Sequence, residues 1–144
     1  MSDYLKFLRQ REDTAPVKTI LVVDDSPDVR HVVRTILERD AAFKVCGEAG
    51  NGPEAIEKAE VLTPDLVLLD FLMPGMNGID VANVLRRLLP KTRIAIFTNY
   101  IDVLTKHLSS TVGIDAVIGK GSLTELVTSL KKLFAQKAPS NNLG

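Results

Sequence analysis

The 144-residue chain has one cysteine, no tryptophan, and an aromatic content of only 5%. A lone thiol, Cys46, forms neither an internal disulfide nor a cysteine metal cluster, so disulfide scaffolds and zinc ribbons are excluded. Charge of one sign is not in excess, because eighteen Lys and Arg offset eighteen Asp and Glu. No global field is therefore available to recruit nucleic acid or an anionic membrane. The apolar runs are too short to span a bilayer. The opening Met1-Ser2-Asp3-Tyr4-Leu5-Lys6 lacks the basic-then-apolar pattern of a secretory leader. Internal repeats and low-complexity tracts are missing too. What is there is an ordinary globular composition, 45% hydrophobic and 25% charged. A chain of this size buries roughly two-thirds of its unfolded surface, enough for one core. The expectation is a soluble, cytoplasmic, single-domain protein.

Five short apolar runs alternate with helix-period segments. The runs are Ile20-Leu21-Val22-Val23, Phe43-Lys44-Val45-Cys46, Leu66-Val67-Leu68-Leu69, Ile94-Ala95-Ile96-Phe97 and Ala116-Val117-Ile118. The first, third and fourth are apolar without alternation, as strands covered on both faces are. The second alternates, which suits an edge strand. Helical stripes run through Val29, Val32, Val33, Ile36 and Leu37, through Val81, Val84, Leu85 and Leu88, and through Leu123, Leu126, Val127, Leu130 and Phe134. Ala55, Ile56, Ala59 and Leu62 make a shorter stripe, and Ile101, Leu104 and Leu108 the weakest. Ser26-Pro27, Gly52-Pro53-Glu54 and Ser122-Leu123-Thr124-Glu125 read as helix starts, the last with capping-box spacing. Pro64 and Pro90 end helices. This alternation predicts a doubly wound (βα)5 α/β domain over 18–137, with a parallel sheet between two helical layers. Residues 1–17 form a flexible extension or short amphipathic helix, and 138–144 a flexible tail.

In such sheets ligands sit beyond the carboxyl ends of the strands. Asp24 and Asp25 follow the first strand, Asp70 ends the third, Thr98 the fourth and Lys120 the fifth. Taken singly, each has an ordinary reading: a helix cap, a turn residue, a solvated lysine. Together at one edge they make a site. Three converging carboxylates repel one another unless a cation sits among them, and hard oxygen donors at strand ends favour Mg²⁺. A lysine opposite that cation leaves a gap suited to a phosphoryl group, with the Thr98 hydroxyl as a further donor.

The segment Asp70-Phe71-Leu72-Met73-Pro74-Gly75-Met76-Asn77-Gly78 is the most specific feature. With Leu21-Val22-Val23-Asp24-Asp25, Thr98 and Lys120, it resembles the receiver domain of two-component response regulators from Lys18 to about Gln136. The resemblance implies a flavodoxin-like sheet of strand order 2-1-3-4-5. It also implies phosphorylation of Asp70 by a sensor histidine kinase or phosphotransfer protein. Asp25, Asp70 and the backbone carbonyl of Leu72 would bind Mg²⁺ directly, and Asp24 mainly through a water. Thr98 and Lys120 would hold phosphoryl oxygens. Such a domain assists its own modification and is not an enzyme acting on a separate substrate.

The chain departs from that family at several places. Val117 stands where an aromatic switch residue is usual, and a β-branched side chain lacks the swing of a ring. Gly121 replaces a common proline and favours a trans peptide. Asn99 is larger than the usual small residue and narrows the path to Asp70. Leu72 and Tyr100 are bulky and supply no carboxylate or amide to orient an attacking water, which implies a long-lived phosphoryl group. The stretch Lys120-Gly121-Ser122-Leu123-Thr124-Glu125-Leu126 resembles receivers that precede a helix-turn-helix domain, so a receiver fragment of a DNA-binding regulator is an alternative to a stand-alone receiver. A phosphate sink without output is another.

A haloacid-dehalogenase-type phosphatase needs an aspartate two residues after its nucleophile, where this chain has Leu72 or Ser26. A flavodoxin-like binding module without phosphoryl chemistry remains the bland option. Output is expected through a downstream protein or a phosphorylation-dependent homodimer. The first guess for its face is the helix around Ile101, Leu104 and Leu108, the fifth strand and the last helix, and the second is a stripe on the first and last helices. No membrane or nucleic-acid partner is expected for this chain. Cys46 reads as a small core residue, His31 and His107 as surface residues, and Met73 and Met76 as packing for the loop after Asp70. Arg86, Arg87, Lys91 and Arg93 read as a solvated basic face, since no aromatics are interleaved.

Overall fold

A computed structural model describes residues 3–4, 16–100 and 113–136. In chain order the elements are β1 (Lys18–Val23), α1 (Pro27–Glu38), β2 (Phe43–Ala49), α2 (Gly52–Leu62), β3 (Leu66–Asp70), α3 (Gly78–Leu88), β4 (Arg93–Thr98), β5 (Ala116–Gly119) and α4 (Leu123–Ala135). All strand pairs are parallel, in the order β2-β1-β3-β4-β5. The expected doubly wound α/β fold is borne out. The helix expected around Ile101, Leu104 and Leu108, His107, the bulk of the 1–17 extension and the 138–144 tail lie outside the described residues.

The unbroken apolar runs are explained by burial on both sheet faces. Ile20, Val22, Leu66, Leu68, Ala95 and Phe97 point to one core, which α1 covers with Val33 and Leu37 and α4 with Leu126, Leu130 and Leu133. Their alternates Leu21, Val23, Val67, Leu69, Ile94 and Ile96 point to the other, covered by Ala55 and Ala59 of α2 and Val81, Ala82 and Leu85 of α3. The second strand is an edge, as its alternation suggests. Its register slips between Ile20↔Val45 and Leu21↔Gly47, so Cys46 is the extra residue of a bulge. Cys46 is half-buried against the second core, and burial raises its thiol pKa.

Helix starts follow the capping signals with one exception. Ser26 Oγ accepts from the Val29 N–H at 3.3 Å, and Asn51 Oδ1 from Glu54 at 2.9 Å. The box expected at Ser122 and Glu125 does not form, because Ser122 Oγ is engaged 2.9 Å away by the Thr124 hydroxyl. A reciprocal box forms instead at Asn77 and Asp80.

The basic cluster also divides. Arg87 and Lys91 are exposed as expected, but Arg93 is buried and donates to the carbonyls of Leu133 and Gln136 at the end of α4. Arg86 bonds the Gly113 carbonyl and the Asp115 carboxylate, each at 2.8 Å, and so pins the entry to β5. Carbonyl and carboxylate acceptors in buried or half-buried positions hold a guanidinium by charge-assisted hydrogen bonds. The solvated reading therefore fails for these two residues.

Candidate functional site

Because all strands are parallel, their carboxyl ends form one edge, and each polar residue arrives there by register. Asp70 pairs across from Phe97, and Thr98 from Gly119, one residue before Lys120. Asp24 and Asp25 leave β1 into the turn before α1. Asp24 is buried; its N–H donates to the Ala49 carbonyl at 3.1 Å, and its Oδ1 accepts from the Ser26 N–H at 2.9 Å. Arg30 of α1 donates from Nη1 to the Asp24 carbonyl at 2.6 Å.

The β3–α3 loop returns tightly over Asp70. The Gly78 N–H donates to the Phe71 carbonyl at 2.8 Å, and a Cβ on Gly78 would fall 2.5 Å from the Asp70 carbonyl oxygen. Only glycine permits that approach. Met73 is buried beneath the loop, and Met76 packs where a Cβ on Gly52 would lie, so both methionines pack this loop as expected.

Asp24, Asp25 and Asp70 each offer a carboxylate oxygen, and the three lie within 4.8 Å of one another. Lys120 Nζ sits 2.8 Å from Asp24 Oδ2 and 3.2 Å from Asp70 Oδ1, with the Phe97 ring centroid 5.8 Å away. Burial, then the charge of Asp24, holds the Asp70 carboxyl above the usual aspartate pKa against the pull of Lys120. Burial also works against the Lys120 ammonium, but the hydrogen bond and charge of Asp24, then Asp70, outweigh it and raise its pKa. One lysine thus leaves the carboxylates with unbalanced negative charge. All three donors are hard oxygens at one locus, a set that fits a divalent cation such as Mg²⁺.

Thr98 is buried. Its Oγ1 accepts from the Tyr100 N–H at 3.0 Å, and the hydroxyl also carries a proton that it can donate. Asn99 and Tyr100 are exposed, and Asn99 lines a groove of about 320 Å³ with Val29, Val32, Phe97, Lys120 and Leu123. Leu72 is 48% exposed, and Val117 is half-buried against the second core. His31 is exposed and is not among the clustered ligands. No cis peptide bond occurs among the described residues, in line with Gly121.

Sequence reading thus brings Asp24, Asp25, Asp70, Thr98 and Lys120 to one edge, and the structure agrees on that convergence. It missed Arg30, and it named Gly78 within the motif after Asp70 without giving it a role. An arginine on a predicted helix carries no signal of a backbone acceptor, and a glycine before a helical stripe reads as a turn.

Comparison with known proteins follows the same lines. Residues 20–131 match the response regulator receiver domain family. The response regulator protein VraR of Staphylococcus saprophyticus is 32% identical over 120 residues, 83% of this chain and 57% of that protein. The nitrate/nitrite response regulator protein NarL of Escherichia coli is 45% identical over 80 residues, 56% of this chain and 37% of that protein. The chain therefore spans about half the length of these relatives.

Among solved structures, the response regulator domain of Thermotoga maritima CheB superposes with a TM-score of 0.76 at 28% identity, over 85% of this chain and 99% of that one. A LuxR-family two-component response regulator from Aurantimonas sp. gives 0.77 at 30%, over 85% and 89%. Among the described residues, no helix is long and apolar enough to cross a membrane. By fold, strand-end site and sequence alike, this chain belongs to the response regulator receiver domain family.

Proposed function

We propose that residues 18–137 act as a phosphorelay receiver in which Asp70 accepts a phosphoryl group from a phosphohistidine on a sensor histidine kinase or phosphotransfer protein. The observation that carries this reading is the meeting of three carboxylates, within 4.8 Å of one another, with one lysine at a single sheet edge. An Asp70 carboxylate oxygen attacks phosphorus as the bond to the donor imidazole breaks, and the departing nitrogen takes its proton from solvent. Asp25, Asp70 and the Leu72 carbonyl would hold Mg²⁺, with Asp24 acting mainly through a water. When bound, the ion supplies charge neutralisation between the carboxylates and the incoming group. Lys120 turns from Asp24 and Asp70 toward phosphoryl oxygens, and the Thr98 hydroxyl donates its proton to another. Phosphoryl transfer needs this positioning more than covalent machinery.

Fluorine NMR with beryllofluoride, a mimic of the phosphoryl group, tests the site. Bound resonances should appear with Mg²⁺ and vanish in Asp70→Asn; bound resonances that persist in the variant would refute the assignment. A Leu72→Asn variant, which adds a water-orienting amide, should lose its phosphoryl group faster than wild type.

A second reading has support of its own: the chain is the receiver part of a longer DNA-binding regulator. The relatives extend well beyond the matched region, and one similar structure is a LuxR-family regulator. A reading frame continuing past Gly144 into a helix-turn-helix segment would establish it. Output then passes through that domain, and otherwise through a downstream protein or a homodimer of the phosphorylated form.

A further inference from the structure

We infer that Arg30 is a positioning residue for the acidic cluster: its guanidinium, gripped by Glu48 of β2, fixes the peptide that carries Asp25 and so presets the carboxylates for a divalent cation. The inference rests on the receiver reading above, in which those carboxylates hold Mg²⁺. Arg30 donates from Nη1 to the Asp24 carbonyl at 2.6 Å and from Nε to Glu48 Oε1 at 3.2 Å. Glu48 Oε2 is held in turn by Arg34 Nη1 at 2.8 Å. The Arg30 and Glu48 side chains retain only 19% and 29% of their exposure, so water competes poorly for these bonds.

The Asp24 carbonyl and the Asp25 N–H belong to one planar peptide, so whatever orients the first orients the second. On its other side, Asp24 is tied by its N–H to Ala49 of β2 at 3.1 Å. The backbone of Asp24 is therefore fastened to the edge strand twice, directly and through Arg30. Asp25 itself is exposed, and its aim depends on that peptide. Gly50 leaves room for the contact, since a Cβ there would lie 3.3 Å from Arg30 Nη1.

Charge alone argues the other way. A guanidinium beside the cluster repels a cation, so its removal should tighten Mg²⁺ binding by Coulomb's law. Weaker binding without Arg30 would have to come from lost geometry, and this opposition of signs makes the inference testable.

Mg²⁺ affinity is measured by calorimetry on the full chain for wild type, Arg30→Met, Arg30→Lys and Arg34→Met. Arg30→Met should raise the Kd about tenfold or more, the usual scale for losing a group that orients a metal ligand. Arg30→Lys keeps the charge but cannot reach both Asp24 and Glu48, and should fall between. Arg34→Met, which loosens Glu48 but leaves the Arg30 bond to the Asp24 carbonyl in place, should raise the Kd less than Arg30→Met.

In metal-free protein, amide exchange at Asp25 should speed up more in Arg30→Met than in Arg34→Met. With an acyl-phosphate donor, the Mg²⁺ concentration giving half-maximal transfer should rise while the rate at saturating Mg²⁺ holds. Wild-type affinity or tighter in Arg30→Met, with unchanged Asp25 exchange, would overturn the inference. Should that variant not fold, wild-type affinity in Arg30→Lys would overturn it. A wild type that binds no Mg²⁺ would overturn the receiver reading itself, and this inference with it.

Discussion

Gly78 and Asp70 show how much of this site is set by single atoms. Gly78 is required by an approach of backbone to backbone, where a Cβ would stand 2.5 Å from the Asp70 carbonyl. Gly78→Ala should therefore cost about 1–3 kcal/mol in urea unfolding, as overpacking does, and should weaken Mg²⁺ binding by displacing Asp70. Unchanged stability would mean that the β3–α3 loop yields freely.

Asp70 carries a pH signature of its own. Its pKa in the metal-free fold is raised from 3.8 by burial and by Asp24. The folded state then binds the proton more tightly than the unfolded chain, so ionisation penalises the fold. Stability contributed at this position falls as pH rises from the ordinary value through the raised one. Wild type should lose urea stability relative to Asp70→Asn across that window in chelator, and the gap should narrow on adding Mg²⁺. A gap independent of pH would contradict the assigned cause.

At the scale of elements, helix and strand identities were legible because the central strand runs are apolar on both faces and each helical stripe faces one core. Interactions between elements were less so. Arg93 lies in β4 but completes the end of α4, a partnership between residues 40 positions apart that no local pattern encodes. Arg93→Met keeps the buried stem and orphans two carbonyls, so a loss of about 1.5–3 kcal/mol is expected, the range for hydrogen bonds from a charged donor. A loss under about 0.5 kcal/mol, as for surface substitutions, would restore the solvated reading. The capping signals show the same limit. The spacing at Ser122 and Glu125 permits a box, but a nearer hydroxyl takes the serine, while Asn77, within a loop motif read for its chemistry, forms one with Asp80 of α3.

For the whole molecule, the sheet's architecture and the convergence of Asp24, Asp25, Asp70, Thr98 and Lys120 were readable because strand ends are readable: a parallel sheet sends every carboxyl terminus to one edge. Register then does the rest, with Lys120 reaching Asp24, just past β1, and Asp70 of β3 across the sheet. The holds beneath that edge were hidden, since Arg30 acts on a backbone atom and Gly78 by lacking one. One measurement tests the central claim directly: intact mass after incubation with Mg²⁺ and a small acyl-phosphate donor, for wild type and Asp70→Asn. The expected result is a single added phosphoryl group on wild type, dependent on Mg²⁺ and missing from the variant. Equal modification of both proteins, or none on a wild type that binds Mg²⁺, would contradict Asp70 as the acceptor.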